Sequence, residues 1–165
     1  MKKSTAIPMR LSPLAVRPDG GRRRFHLMIK PGGSACNLAC DYCYYLHKGA
    51  LPGQDAPPSM PPEVLERVIS QYIGENEADE VVFSWQGGEP TLLGIGFFEH
   101  ALTLQRKHAS GGKRVSNTLQ TNGVLLDDDW AAFLKRHDFR VGLSVDGPEA
   151  LHDRCRRDAA GNPTR

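Results

Sequence analysis

The chain has 165 residues, 39% of them apolar and 24% charged, with a formal net charge of +2. This is the composition of an ordinary globular domain with a real core, and the charge is too small to argue for a nucleic-acid partner. No apolar run approaches the ~20 residues of a membrane span, and Pro8, Arg10 and Pro13 break up the segment behind Lys2 and Lys3, which argues against a secretory signal.

Residues 1–24 hold Lys2, Lys3, Arg10, Arg17, Arg22, Arg23 and Arg24 against one acid, Asp19. They read as a basic, irregular, solvated extension, with a phosphate- or membrane-binding arm as the minor reading. Residues 25–165 read as one domain. Phe25–Lys30 is a short apolar run stopped by Pro31-Gly32-Gly33, which predicts a first strand. Cys36, Cys40 and Cys43 follow within eight residues, and Gly49–Pro62 is a Pro/Gly-rich loop. Pro61-Pro62-Glu63 opens a helix to about Ile73, with Val64, Leu65, Val68, Ile69 and Tyr72 at helical spacing. Glu80–Trp85 predicts a second strand, ended by Gly87-Gly88-Glu89-Pro90. A helix over 96–109 carries Phe97, Phe98, Ala101, Leu102 and Leu104 and ends at Gly111-Gly112. Arg114–Thr121 predicts a third strand, stopped by Asn122-Gly123. Asp127-Asp128-Asp129 starts a helix with acids where the dipole favours them. Phe139–Val145 predicts a fourth strand, ended by Asp146-Gly147-Pro148, and a last helix starts near Pro148.

Strands alternating with helices predict parallel β/α units, whose ligands gather at the loops after the C-terminal strand ends. Every unusual motif falls at such a loop: the cysteine loop, Gly-Gly-Glu-Pro, Gln-Thr-Asn-Gly and Ser-Val-Asp-Gly-Pro. Four parallel strands do not close a barrel, which takes about eight, so part of a longer protein is expected.

Four cysteines, three clustered and Cys155 distant, make a poor disulfide framework and a better metal site in a reducing compartment. Three thiolates on one loop hold three corners of an iron–sulfur cube and leave the fourth iron open, whereas electron-transfer clusters usually have four protein ligands. A structural zinc site using the same cysteines with His47 is the alternative of a different class, and a degenerate, inactive fragment is another. Taken alone, Gly87–Pro90 also reads as a plain turn and Ser144 as a satisfied strand serine. Gly123 and Gly147 read as turn formers, Trp85 and Trp130 as packing residues, Cys155 as a lone thiol, and the six histidines as surface or core residues.

The ordered set Ile29-Lys30-Pro31, Cys36-Asn-Leu-Ala-Cys40-Asp-Tyr42-Cys43-Tyr-Tyr45, Gln86-Gly-Gly88-Glu-Pro-Thr-Leu92, Gln105-Arg-Lys-His108, Leu119-Gln-Thr-Asn-Gly123 and Val141-Gly-Leu-Ser144-Val-Asp-Gly-Pro148, with His152 beyond it, resembles the radical S-adenosylmethionine (SAM) enzymes. Within them it is most similar to the anaerobic sulfatase-maturating enzymes of the SPASM-containing subgroup. The resemblance implies a partial (β/α)6 TIM-like barrel, of which this chain holds about the first four β/α units. It implies a [4Fe–4S] cluster on Cys36, Cys40 and Cys43 whose open iron is chelated by the amino and carboxylate groups of SAM. Reductive cleavage of SAM then yields a 5′-deoxyadenosyl radical that takes a Cβ hydrogen from a Cys or Ser of an unfolded sulfatase segment, leading to Cα-formylglycine. Gly88, Tyr42, Ser144 and Arg156 match the family's SAM contacts, with Arg154 and Arg157 near enough to put Arg156 off by one. Tyr45, Gln86, Gln120 and Asn122 are expected to face the same cavity. The resemblance further implies a sulfatase polypeptide as partner, a reductant such as flavodoxin or ferredoxin, a cytoplasmic location, and no nucleic acid or membrane. The family's second half carries two auxiliary clusters and the proton-accepting aspartate, so no catalytic residue is identified in this chain, and full turnover by it alone is not expected. Another SPASM-type peptide maturase shares the same first half and is the nearest rival.

Overall fold

The computed structural model describes residues 23–45, 59–109 and 111–164; most of the basic extension, most of the Gly49–Pro62 loop, and His47 lie outside them. Four strands alternate with four helices: β1 (Leu27–Ile29), α1 (Pro62–Glu75), β2 (Glu80–Trp85), α2 (Gly94–His108), β3 (Arg114–Thr121), α3 (Asp128–Arg136), β4 (Arg140–Leu143) and α4 (Glu149–Cys155), with one 3-10 turn at Pro90–Leu93 before α2. The strands form one sheet in chain order, and every neighbouring pair is parallel. The expected α/β class and the partial barrel therefore hold. All four motif loops leave the same, C-terminal, edge.

Period-two alternation decides which residues face the helices. Ile29, Trp85, Leu119 and Val141 stand in register across the sheet, and the first three are buried under α1, α2 and α3. Tyr72, Phe83, Trp85, Phe98 and Trp130 form a chain of ring contacts with centroids 5.0–5.8 Å apart, each such pair adding about 0.5–1.5 kcal/mol beyond its buried area. Trp85 and Trp130 are packing residues as expected. One polar group lies inside this layer. Asn117 Oδ1 accepts from Trp85 Nε1 at 2.8 Å and from Gln105 Nε2 at 2.9 Å, while Asn117 Nδ2 donates to Gln105 Oε1 at 2.9 Å. The triangle ties β2, β3 and α2 with every polar atom paired.

The opposite face of the sheet is polar. Thr118 Oγ1 donates to Ser84 Oγ, which meets His26 Nε2, both at 3.0 Å. Gln120 Nε2 donates to Ser144 Oγ at 2.9 Å. Gly142 makes the last contact possible: a Cβ there would lie 2.2 Å from Gln120 Oε1, so the glycine inside the strand marks a side chain laid across it.

Three expected boundaries move. The first strand is Leu27–Ile29 rather than Phe25–Lys30, because the Phe25 carbonyl accepts from Asn76 Nδ2 at 2.7 Å and from Tyr72 Oη instead of a strand. The fourth strand is Arg140–Leu143, inside the expected 139–145. The second helix begins at Gly94, after Glu89 caps the 3-10 turn with its side chain. Arg23, assigned to the irregular extension, pairs with Glu75 at 2.8 Å and contacts Glu77.

Replacing Asn117 by Leu should cost about 1–3 kcal/mol for each partner left unpaired, Trp85 Nε1 and the Gln105 amide. Urea unfolding of the variant against the parent chain measures it. An unchanged midpoint would show that the triangle contributes nothing.

Candidate functional site

The site is built on backbone. After β1 the chain turns through Gly33 N–H to Lys30 C=O and Ala35 N–H to Gly32 C=O, both at 3.1 Å. The Gly-Gly-Glu segment then clamps this turn from beside it: Gly88 N–H donates to Gly33 C=O at 2.9 Å and Glu89 N–H to Ala35 C=O at 2.7 Å. A Cβ on Gly88 would lie 2.0 Å from the Ala35 oxygen, and Gly87 has φ +125 with its own Cβ position 2.8 Å from the Gly33 oxygen. Both positions are glycine because the cysteine loop lies directly on them. The Gly88 N–H is used up. Among the described residues no hydrogen bond ends on the Gly88 carbonyl.

From the other side the loop is held by the segment after α4. Ala39 N–H donates to Arg157 C=O at 2.7 Å, Asp41 N–H to Cys155 C=O at 3.0 Å, and Leu38 bridges Asp158 antiparallel. Cys155 thus acts through its backbone, while its thiol, like the other three, is free.

Glu89 is buried, 2% exposed, and has no cationic partner among the described residues. Its carboxylate accepts four hydrogen bonds instead: Thr91 N–H at 3.1 Å, Thr91 Oγ1 at 2.6 Å and Thr121 Oγ1 at 2.7 Å on Oε1, and Asn122 N–H at 2.7 Å on Oε2. The end of β3 is thereby fixed to the end of β2. Asn122 passes this on to the cysteine loop, with Nδ2 donating to Asn37 Oδ1 at 2.8 Å and standing 3.8 Å from Cys36 Sγ.

Cys36 Sγ accepts the Leu38 N–H and Cys43 Sγ the Tyr45 N–H, both at 3.4 Å. Burial pushes the Cys36 thiol above its ordinary value; the Leu38 N–H opposes this, and the negative charges of Glu89, Cys40 and Cys43 add to it. Burial also raises Cys40, against the opposing charge of Arg156. Burial and neighbouring negative charge thus favour the protonated forms of Cys36 and Cys40, which a bound cation would reverse by taking the protons' place. Among the described residues no group of three or more His, Cys, Asp and Glu is disposed to hold a metal ion.

Tyr42, Asp146 and Arg156 form a second cluster at the same edge. Tyr42 Oη donates to Asp146 Oδ2 at 2.6 Å, and Arg156 Cζ lies 5.6 Å from the Tyr42 ring centroid. Arg156 Nε is 3.0 Å from Asp146 Oδ1, an ion-pair distance, but its N–H is not aimed at that oxygen and the buried nitrogen makes no hydrogen bond. Desolvation and the Asp146 carboxylate push Tyr42 up to about 12. The Tyr42 hydrogen bond, then Arg156, holds the Asp146 carboxyl below the usual carboxylate range. Ser144 lines an open cleft of about 770 Å³ together with Asn122, Leu143, His152 and the cysteine-loop residues Asn37 and Leu38. The expected site residues are thus brought to one edge, with Ser144 and Asn122 on the cleft wall and the cysteines, Tyr42, Gly88 and Arg156 beside it. Gln120 reaches Ser144, and Tyr45 lies under Lys30 Nζ, 5.0 Å from its ring centroid. Asp146 and Glu89 belong to motifs visible in the sequence, yet nothing in the spacing gave either carboxylate its partners.

A parallel sheet that gathers a three-cysteine loop, a Gly-Gly-Glu clamp and a polar cleft at its C-terminal edge matches the Radical SAM superfamily over residues 31–162, and the chain belongs to that superfamily. Within it the chain is similar to anaerobic sulfatase-maturating enzymes. It is 42% identical to the serine-type enzyme of Klebsiella aerogenes over 167 residues, covering 99% of this chain and 40% of that one. It is 44% identical to the cysteine-type enzyme of Clostridium perfringens over 138 residues, covering 84% and 37%. The solved structure of native anSMEcpe with bound AdoMet and Cp18Cys peptide superposes with a TM-score of 0.77 at 43% identity, covering 86% of this chain and 37% of that chain. The chain therefore spans well under half the length of these relatives.

Glu89→Ala should destabilise the fold by at least about 3 kcal/mol, since hydrogen bonds to a charged group contribute about 1.5–3 kcal/mol each and several donors are left buried. Glu89→Gln should lose less, because the threonine hydroxyls can rotate while the Asn122 N–H cannot. Gly88→Ala should cost about 1–3 kcal/mol through overpacking against backbone. Denaturant midpoints of the three variants test the clamp, and wild-type midpoints would refute it.

Proposed function

We propose that this chain is the cluster- and SAM-binding portion of a radical SAM sulfatase maturase, with residues 25–165 as its core domain. The complete activity is oxidation of a Cys or Ser of a sulfatase polypeptide to Cα-formylglycine. The observation that supports this reading is the gathering of the three-cysteine loop, Gly88, Ser144 and the Asp146-paired Arg156 at one sheet edge, in a chain so similar to enzymes of that name.

When bound, a [4Fe–4S] cluster supplies the one electron that splits SAM into methionine and a 5′-deoxyadenosyl radical. The chain's own residues bind and orient. Cys36, Cys40 and Cys43 would hold three of the cluster's irons as thiolates, giving up their protons to do so. The Leu38 and Tyr45 N–H groups donate to two of the sulfurs and stabilise their charge. The Gly88 carbonyl accepts from the methionine amino group. Ser144 donates its hydroxyl proton to the carboxylate, and the planar Arg156 fork suits that group's two oxygens. Tyr42 borders SAM from the cysteine loop, and the cleft beside Ser144 faces the substrate peptide. A flavodoxin or ferredoxin delivers the electron, in the cytoplasm; among the described residues no helix is long and apolar enough to cross a membrane.

Anaerobic reconstitution with iron and sulfide, reduction, and electron paramagnetic resonance (EPR) test this directly. The expected result is a [4Fe–4S]⁺ signal that shifts on adding SAM and is lost in the Cys36/Cys40/Cys43→Ala variant. Zinc bound in place of iron, with no cluster signal, would overturn the reading.

A further inference from the structure

Two side chains, from the cysteine loop and from the end of α4, meet at the Asp146 carboxylate, and a third residue steadies its backbone. The cysteine loop brings Tyr42, whose hydroxyl donates to Oδ2 at 2.6 Å. The residue after α4 brings Arg156, whose Nε stands 3.0 Å from Oδ1. α4 itself brings buried His152, whose Nδ1 accepts the Asp146 backbone N–H at 3.5 Å and steadies the turn that carries the carboxylate. Both carboxylate oxygens are committed, each to a different segment.

The geometry of the guanidinium gives this arrangement its meaning. Asp146 stands 3.0 Å from Arg156 at Nε, and the Arg156 side chain is 13% exposed. Among the described residues, neither terminal nitrogen of Arg156 donates a hydrogen bond. A planar guanidinium steadied at Nε and flanked by an aromatic ring, as Tyr42 flanks this one, presents its two terminal N–H groups as a fork for an incoming carboxylate. A mostly buried cation with no counter-charge would be costly to keep folded, and Asp146 offsets that cost without covering the fork.

We propose that Asp146 is a positioning residue for SAM, holding Arg156 by Nε and Tyr42 by its hydroxyl so that the Arg156 fork meets the SAM carboxylate. The proposal rests on the assignment of Arg156 as a SAM contact. Asp146 itself touches no reacting atom. Its short side chain reaches both partners from the turn after β4, and a neutral isostere keeps the acceptor for Tyr42 while losing the attraction for Arg156.

The test is equilibrium binding of SAM and of decarboxylated SAM to the anaerobically reconstituted chain, with cluster content followed by EPR and iron analysis. For Asp146→Ala the SAM dissociation constant should rise about tenfold or more, and for Asp146→Asn by about threefold. Decarboxylated SAM, lacking the group that Arg156 would grip, should bind wild type and both variants alike. A general structural lesion would weaken both ligands together. Equal SAM affinity in wild type and Asp146→Asn, with the cluster retained, would overturn the proposal, as would an equal loss for both ligands. Should Asp146→Ala fail to fold, the Asn variant carries the comparison. A wild-type chain that holds a cluster but ignores SAM would refute the Arg156 assignment and this proposal together, and a chain with no cluster would refute the functional reading beneath both.

Discussion

The carboxylate of Glu89 is the interaction on which the candidate site depends. A buried anion without a cation beside it is costly unless hydrogen bonds replace the lost water, and here four donors from Thr91, Thr121 and Asn122 do so. Because those donors sit on two different strand ends, satisfying the charge also fixes β3 to β2. The same residue's backbone N–H holds Ala35 in the cysteine loop. One residue, through its side chain and its backbone N–H together, therefore couples the thiol-bearing loop, the Gly-Gly turn and the start of the Asn122 loop.

Around that centre the cysteine loop is fastened on both flanks by main-chain hydrogen bonds, to Gly88 and Glu89 on one side and to Cys155 and Arg157 on the other. Loops that carry reactive groups work when a rigid scaffold holds them. The cost is paid in glycine: Gly87 and Gly88 tolerate no Cβ because Gly33 and Ala35 press on them. Arg156, the cation paired with Asp146, sits on the segment that makes the second fastening. Anchoring of the loop and placement of the groups next to it are one structural arrangement.

The fold was largely legible because β2 turns Val81, Phe83 and Trp85 toward the helices in strict alternation, and β2 and β3 end at Gly-Gly and Asn-Gly stops. Those two strands match the expected limits at both ends. β1 was over-read because Phe25 looks like strand, whereas its carbonyl is claimed by Asn76 and Tyr72, a tertiary contact no local pattern encodes. At the site, the cysteines and their convergence with the other motifs followed from parallel topology. The reason for the glycines did not, since close approach of a distant backbone leaves no trace in the sequence. Asp146 lay in plain view in Ser-Val-Asp-Gly-Pro, but its partners Tyr42 and Arg156 are 104 positions before it and 10 after it. An aspartate before glycine reads first as a turn residue.

The central claim is that the three thiols and the polar edge beside them form one site that binds a cluster and SAM together. The most direct measurement is electron–nuclear double resonance on the reduced, reconstituted chain with SAM labelled with ¹⁵N in its amino group and ¹⁷O in its carboxylate. Hyperfine coupling from both labels to the cluster is the predicted result, because both groups would then ligate the open iron. A well-formed cluster showing coupling to neither label would contradict the account.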